Sequence, residues 1–155
     1  MKLTSVFPAP PSTTASVGLL LLRLVAGAAF MLHGWSKIQS PFNWMGPEAP
    51  VPGILQALAA LSEFGGGLAW ILGALVPLAS LGLFFTMAVA VYTHAVVMGD
   101  PFVGMKGSYE LAAVYLAIAV LMLTNGPGKF SVDALLRKKF ARDGSRDMTS
   151  PVTNP

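Results

Sequence analysis

The chain has 155 residues, 54% of them hydrophobic and only 11% charged, with a mean hydropathy of +0.66. Soluble domains carry about 25% charged residues, so an ordinary soluble globule is excluded. It contains no cysteine, which removes disulfides, thiolate metal sites, iron–sulfur ligation and persulfide intermediates from this chain. The net charge of +3 does not point to nucleic acid, because most basic residues follow Asn125, beside the last apolar segment, where they act on topology and lipid contact.

In chain order, residues 1–15, with Pro8, Pro10 and Pro11, read as a disordered cytoplasmic lead. Residues 16–128 read as a membrane domain of four apolar spans: Val17 to Trp35, Ile54 to Leu75, Leu78 to Met98 and Glu110 to Thr124. Each crosses, or nearly crosses, a core of about 30 Å at about 1.5 Å per residue. The second and third, if continuous, would be about 65 Å long, twice the bilayer, so the chain must turn back near Val76-Pro77. The fourth is the shortest and needs its flanks to complete a span. A cleaved signal peptide at Val17 to Leu32 is disfavoured by Arg23 in the middle of the apolar region.

The Pro- and aromatic-rich loop from Ser36 to Gly53 is expected against the outer interface, with Trp35 and Trp44 in an aromatic belt. After the fourth span, Asn125-Gly126-Pro127-Gly128 is a stop signal and Ser131 an N-cap for a further helix carrying Asp133 in its first turn. Over 129–142 this helix places Val132, Leu135, Leu136 and Phe140 near one face and Arg137, Lys138 and Arg142 away from it. That pattern belongs to an interfacial helix on anionic lipid. Residues 143–155 read as a disordered tail. Lys129, Arg137, Lys138, Lys139, Arg142 and Arg146 put both termini in the cytoplasm of an inner (plasma) membrane. The expected fold is therefore an all-α integral membrane protein, a four-transmembrane-helix bundle with a short C-terminal amphipathic interfacial helix.

Close packing of the spans is expected through small residues: Gly27 and Gly34 on the first, and Gly65, Ala69 and Gly73 on the second. Ionisable residues within or at the ends of these spans are the best functional clue, since a charge at the bilayer centre costs about 2.5–3.5 kcal/mol on insertion scales. By residue rise, His33, Lys37, His94 and Glu110 lie within about 6 Å of the outer ends, and Glu63 about 13 Å down. They would form an outward-facing polar mouth. Side chains lean toward their helix N-terminus, so Arg23 leans to the cytoplasm, whereas Lys37 leans inward and is the preferred partner of Glu63. A carboxylate as deep as Glu63 must be paired or protonated. Each of the others has a structural reading too: Arg23 snorkelling to inner headgroups, Glu110 stabilising a helix N-terminus, and the two histidines packing. A metal centre is disfavoured, since Glu-x-x-His pairs are missing and Glu63 and Glu110 differ in depth by about 10 Å. There is no haem attachment motif, phosphate loop or nucleophile elbow, so no bound metal or haem is expected.

Arg23 in the first span, Phe30-x-x-His33-Gly34-x-x-Lys37 at its end, Glu63-Phe64-Gly65-Gly66-Gly67 in the second, Tyr109-Glu110 opening the fourth and Gly126-Pro127-Gly128-x-x-Ser131-x-Asp133 closing it together resemble the DoxX family over roughly Leu20 to Leu135. The Val76-Pro77 turn lacks the basic residue often found there in relatives. The resemblance implies a small four-helix membrane protein and, through the family's founding association with thiosulfate:quinone oxidoreductase, a place in electron transfer to membrane quinone.

Three readings stay open. The chain could be the membrane subunit of a quinone-linked redox system, with Glu63, His33 and Lys37 exchanging protons and His94, Glu110, Arg23, Trp35, Tyr92 and Tyr109 binding the substrate. A partner subunit would then supply the electrons. It could instead be a carrier or permeability protein for a small aromatic or anionic compound, or a non-catalytic assembly protein in which the charges hold the fold. Membrane lipid is the expected surroundings in every case, and homo-oligomerisation stays open.

Overall fold

The computed structural model describes residues 11–147, with side chains described in 11–141. Residues 1–10 of the expected lead and residues 148–155 of the expected tail lie outside the described residues. Among the described residues the regular structure is entirely helical: α1 (Thr13–Gln39), α2 (Gly53–Leu72), α3 (Val76–Tyr92, prolonged by a wider π-type turn over Thr93–Val97), α4 (Glu110–Asn125) and α5 (Val132–Asp147).

Helix α1 starts earlier than its apolar run suggests because Ser12 caps it, its hydroxyl accepting from Ala15 N at 3.2 Å. A capping serine supplies an acceptor to a helix N–H that has no partner of its own. Helix α2 ends at Leu72, with Gly73 in the left-handed region at φ 67°, a conformation that costs glycine little. The reversal thus lies at Gly73 to Leu75, before the expected Val76-Pro77. Pro77 sits in the first turn of α3, where a missing N–H costs nothing, so it starts this helix and does not break the preceding one. Leu75 holds a left-handed φ of 52°, and its N–H together with that of Val76 is bound by Asp133 at 2.8 and 2.9 Å.

Helices α1 and α2, and the combined α3 segment Val76–Val97 of 22 residues, are each long and apolar enough to cross a membrane. Helix α4 is apolar but shorter, at 16 residues. The spatial order follows the sequence, α1 against α2, α2 against α3 and α3 against α4, and the ring contact of Phe30 with Tyr115 at 4.7 Å joins α4 to α1. One core results, from Leu19, Ala26, Phe30, Trp70, Val76, Leu83, Met87, Ala119 and Met122. Within it the edge of one ring meets the face of another between Phe30 and Trp70 (5.5 Å, 85°). The indole N–H of Trp70 donates to Ser80 Oγ at 2.9 Å, which removes the cost of burying both groups.

Small residues do set the α1–α2 distance, but on α2 they are not the expected ones. A Cβ on Gly27 would stand 2.7 Å from Gly67 O, one on Gly67 2.6 Å from Gly27 O, and one on Gly34 2.5 Å from Phe64 N. Gly66 serves α3 in the same way, since a Cβ there would stand 3.1 Å from the Leu83 side chain. Gly65 meets only Leu61 of its own helix, and Gly73 lies in the turn beside Arg23.

Helix α5 runs past the expected 142 to Asp147. Its start is docked to the bundle: Ser131 caps it by accepting from Ala134 N at 3.2 Å, Asp133 N donates to Gly73 O at 2.9 Å, and Ser131, Asp133 and Ala134 are buried. Val132, Leu135 and Phe140 are exposed beside Lys138 and Lys139. A residue that the sequence offers only as a first-turn acid therefore caps α3 as well.

Because the Gly34 obstruction is backbone, α1 and α2 must separate to admit a methyl group. Gly34→Ala should lower stability by about 2 kcal/mol, in the range for overpacking. Gly18→Ala, on the same helix but with nothing within 4 Å of its Cβ position, should leave it unchanged. Unfolding midpoints of the detergent-solubilised variants test this, and equal midpoints would refute the close-contact account.

Candidate functional site

The close approach at Gly34 brings the end of α1 against the middle of α2. Lys37 lies three residues beyond Gly34, on the same face, and its Nζ meets Glu63 Oε1 at 2.7 Å. The glutamate side chain is 4% exposed and the lysine side chain 24%, so the pair is open at the lysine. Taking both charges out of water is expensive, and their mutual attraction offsets that cost only where the geometry is tight. One carboxylate oxygen is left over: Glu63 Oε2 is buried and has no hydrogen-bond partner among the described residues.

The loop between α1 and α2 closes over this pair. Lys37 Nζ lies 4.6 Å from the centre of the Trp44 ring, a cation over an aromatic face. Trp44 is fixed in turn by its indole N–H, which donates to Gln56 O at 2.9 Å. The Gln56 side chain, 3% exposed, accepts from Met45 N at 3.0 Å and donates to Val51 O at 2.9 Å. A buried amide with both ends satisfied holds an otherwise irregular segment in one place. Gln56 is absent from the site expected from sequence, and Trp44 enters there only as an interface anchor. The available signal was a lone amide one turn into an apolar span, following a proline-rich loop.

The other expected site residues lie elsewhere. His33 is exposed on α1, with no hydrogen bond or ion pair to a described residue. Trp35 is 58% exposed and packs on Phe64 at 5.7 Å. Tyr92 is 60% exposed. His94, in the π-type turn, pairs through Nδ1 with Asp100 Oδ2 at 2.7 Å. Glu110 is exposed at the start of α4, and Tyr109 packs on Phe102 at 5.3 Å. Among the described residues no three His, Asp or Glu side chains gather as metal ligands would.

Arg23 belongs to the opposite end, about 21 Å from Lys37 along α1 by helix rise. It is fully buried, donates from Nη2 to Phe130 O at 2.6 Å and interacts electrostatically with Asp133. Its Nε and Nη1 have no hydrogen-bond partner among the described residues. Nearby, Lys129 N donates to Ser16 Oγ at 3.1 Å. Arg23 thus ties the segment after α4 to the bundle and does not snorkel to headgroups.

The fold and this pair define a multi-pass helical membrane protein with a buried, lysine-paired carboxylate between its first two helices. The DoxX family model matches residues 18–96, which include Arg23, Lys37, Glu63 and His94. The chain is 32% identical over 131 residues to inner membrane protein YqjF of Escherichia coli strain K12, covering 80% of this chain and 95% of that protein. The chain belongs to the DoxX family. No solved structure matches it.

Removing only the cation should be worse than removing both charges. Lys37→Met leaves a buried carboxylate without its partner and should cost about 3–5 kcal/mol. Lys37→Met/Glu63→Gln should recover much of that loss. Unfolding in detergent, compared across the single and double variants, measures the coupling, and additive losses would show that the pair contributes nothing as a pair.

Proposed function

We propose that this chain is the membrane subunit of a quinone-linked redox system in the inner membrane, with the Lys37–Glu63 pair as its proton-exchanging site. The observation that carries this reading is a buried carboxylate with one oxygen held by Lys37 at 2.7 Å and the other without a hydrogen-bond partner among the described residues. Quinone reduction takes up two protons, and a carboxylate shielded from water but open through a lysine can relay them. Trp44 supplies an aromatic wall. The family and the relative named as an inner membrane protein support the location.

In this reading α4, about 24 Å long by its rise, completes a four-span bundle with help from its flanking residues. The basic residues after Asn125 keep both ends cytoplasmic. Helix α5 lies along the lipid surface with Lys138 and Lys139 toward headgroups. The electron donor is a partner subunit. The carrier reading draws on the same pair, whereas Arg23, tied to Phe130 and Asp133, serves assembly of the fold.

Glu63→Gln keeps the shape and one hydrogen bond but cannot titrate. In membranes from cells expressing the chain beside its native partners, the variant should accumulate normally yet lose about 100-fold or more of any chain-dependent change in the quinol-to-quinone ratio, the range for removal of a general acid or base. Glu110→Gln, at an exposed helix start, should be mild. Wild-type behaviour of Glu63→Gln together with a dead Glu110→Gln would move the site to the outer surface.

A further inference from the structure

The second oxygen of Glu63 has a definite polarity. An ionised carboxylate accepts hydrogen bonds and donates none. With Oε1 taken by Lys37, the group that completes the site must bring a donor to Oε2, because a buried acceptor left without one is costly. Lys37 Nζ does not serve both oxygens: it bonds Oε1 and faces the Trp44 ring. Gln56, the other buried polar side chain at this end, spends its amide on Val51 and Met45.

We infer that the site is selective for the reduced form of its ligand, a hydroquinone whose hydroxyl donates to Glu63 Oε2, over the oxidised quinone. This rests on the quinone reading given above. The two forms have nearly the same ring and differ where the site is selective. Hydroquinone carries two O–H donors, whereas quinone carries two carbonyl acceptors, which would meet Oε2 lone pair to lone pair. Sites built to bond a ligand hydroxyl reject analogues that lack it far more strongly than apolar pockets reject a missing methylene. Trp44, held by Gln56 with its ring under Lys37 Nζ, distinguishes the two forms little. Selectivity therefore resides in Glu63, and its sign is reversible. In Glu63→Gln the amide carbonyl can keep Lys37 while its NH2 takes the place of Oε2, turning an acceptor into a donor.

The test is equilibrium binding to the purified full-length chain in nanodiscs, under anaerobic conditions, of a short-chain benzoquinone, its hydroquinone and the hydroquinone dimethyl ether. Wild type should bind the hydroquinone about tenfold or more tightly than either the quinone or the ether, the worth of one hydrogen bond to a charged group. Glu63→Gln should reverse the preference toward the quinone. Equal or tighter binding of quinone by wild type, as a carboxyl group protonated on Oε2 would give, overturns the inference while leaving the quinone reading in place. So does an ether that binds as well as the hydroquinone, a comparison that needs no variant and stands if Glu63→Gln fails to fold. Binding of none of the three overturns both.

Discussion

The ion pair between Lys37 Nζ and Glu63 Oε1, 2.7 Å long, depends on the approach of two helix backbones, and the rest of the site depends on the pair. A carboxylate placed one-half of the way down a membrane helix is tolerable only when paired or protonated, and here it is paired with Lys37. That partner reaches it because α1 carries glycines where α2 comes closest. Gly27 and Gly34 lie on the Lys37 side of α1, and Gly67 lies one turn beyond Glu63 on α2. Packing and charge placement are thus a single design: the glycines bring the backbones together, and the close backbones bring lysine to glutamate.

Two polar groups at opposite ends of the bundle do different work. At the Lys37 end one carboxylate oxygen has no hydrogen-bond partner among the described residues, under a loop fixed by Trp44 and Gln56. At the Arg23 end the contacts are mostly internal: the guanidinium with Phe130, Asp133 with the N-terminus of α3, and Ser16 with Lys129. Two carboxylate oxygens satisfying the N–H groups of Leu75 and Val76 make the α2–α3 reversal depend on a residue nearly sixty positions later in the chain. The Arg23 cluster holds the fold at one end, and the Lys37–Glu63 pair, the site of the chemistry we propose, lies at the other.

The sequence states the architecture well, for a physical reason. Long apolar runs have few alternatives in lipid, and helix is the local answer for every one of them. The Lys37–Glu63 pairing was also legible, because helix geometry fixes depth and side chains lean toward the N-terminus. Rotation about a helix axis was less so. Gly65, Ala69 and Gly73 form an equally good small-residue stripe, and only the packed bundle shows that Gly66 and Gly67 are the ones used. His33 lies four residues from Lys37 yet is exposed, and His94 is engaged with Asp100 in a turn whose widening no local pattern announces. Gln56, Trp44 and Asp133 were hidden for another reason: each acts across a chain reversal, where the partner is a backbone group and carries no sequence signal.

We propose chemistry at the α1–α2 pair and not at Arg23 or on the outer rim. Photolabelling with a short-chain azidohydroquinone under anaerobic conditions, followed by mass-spectrometric mapping of the labelled peptides, tests this most directly. The account predicts label on the segments around Lys37 to Trp44 and Gln56 to Phe64, suppressed by excess unlabelled hydroquinone. Competable label confined to the segments around Arg23 and Phe130, or to the start of α4 at Glu110, would contradict it.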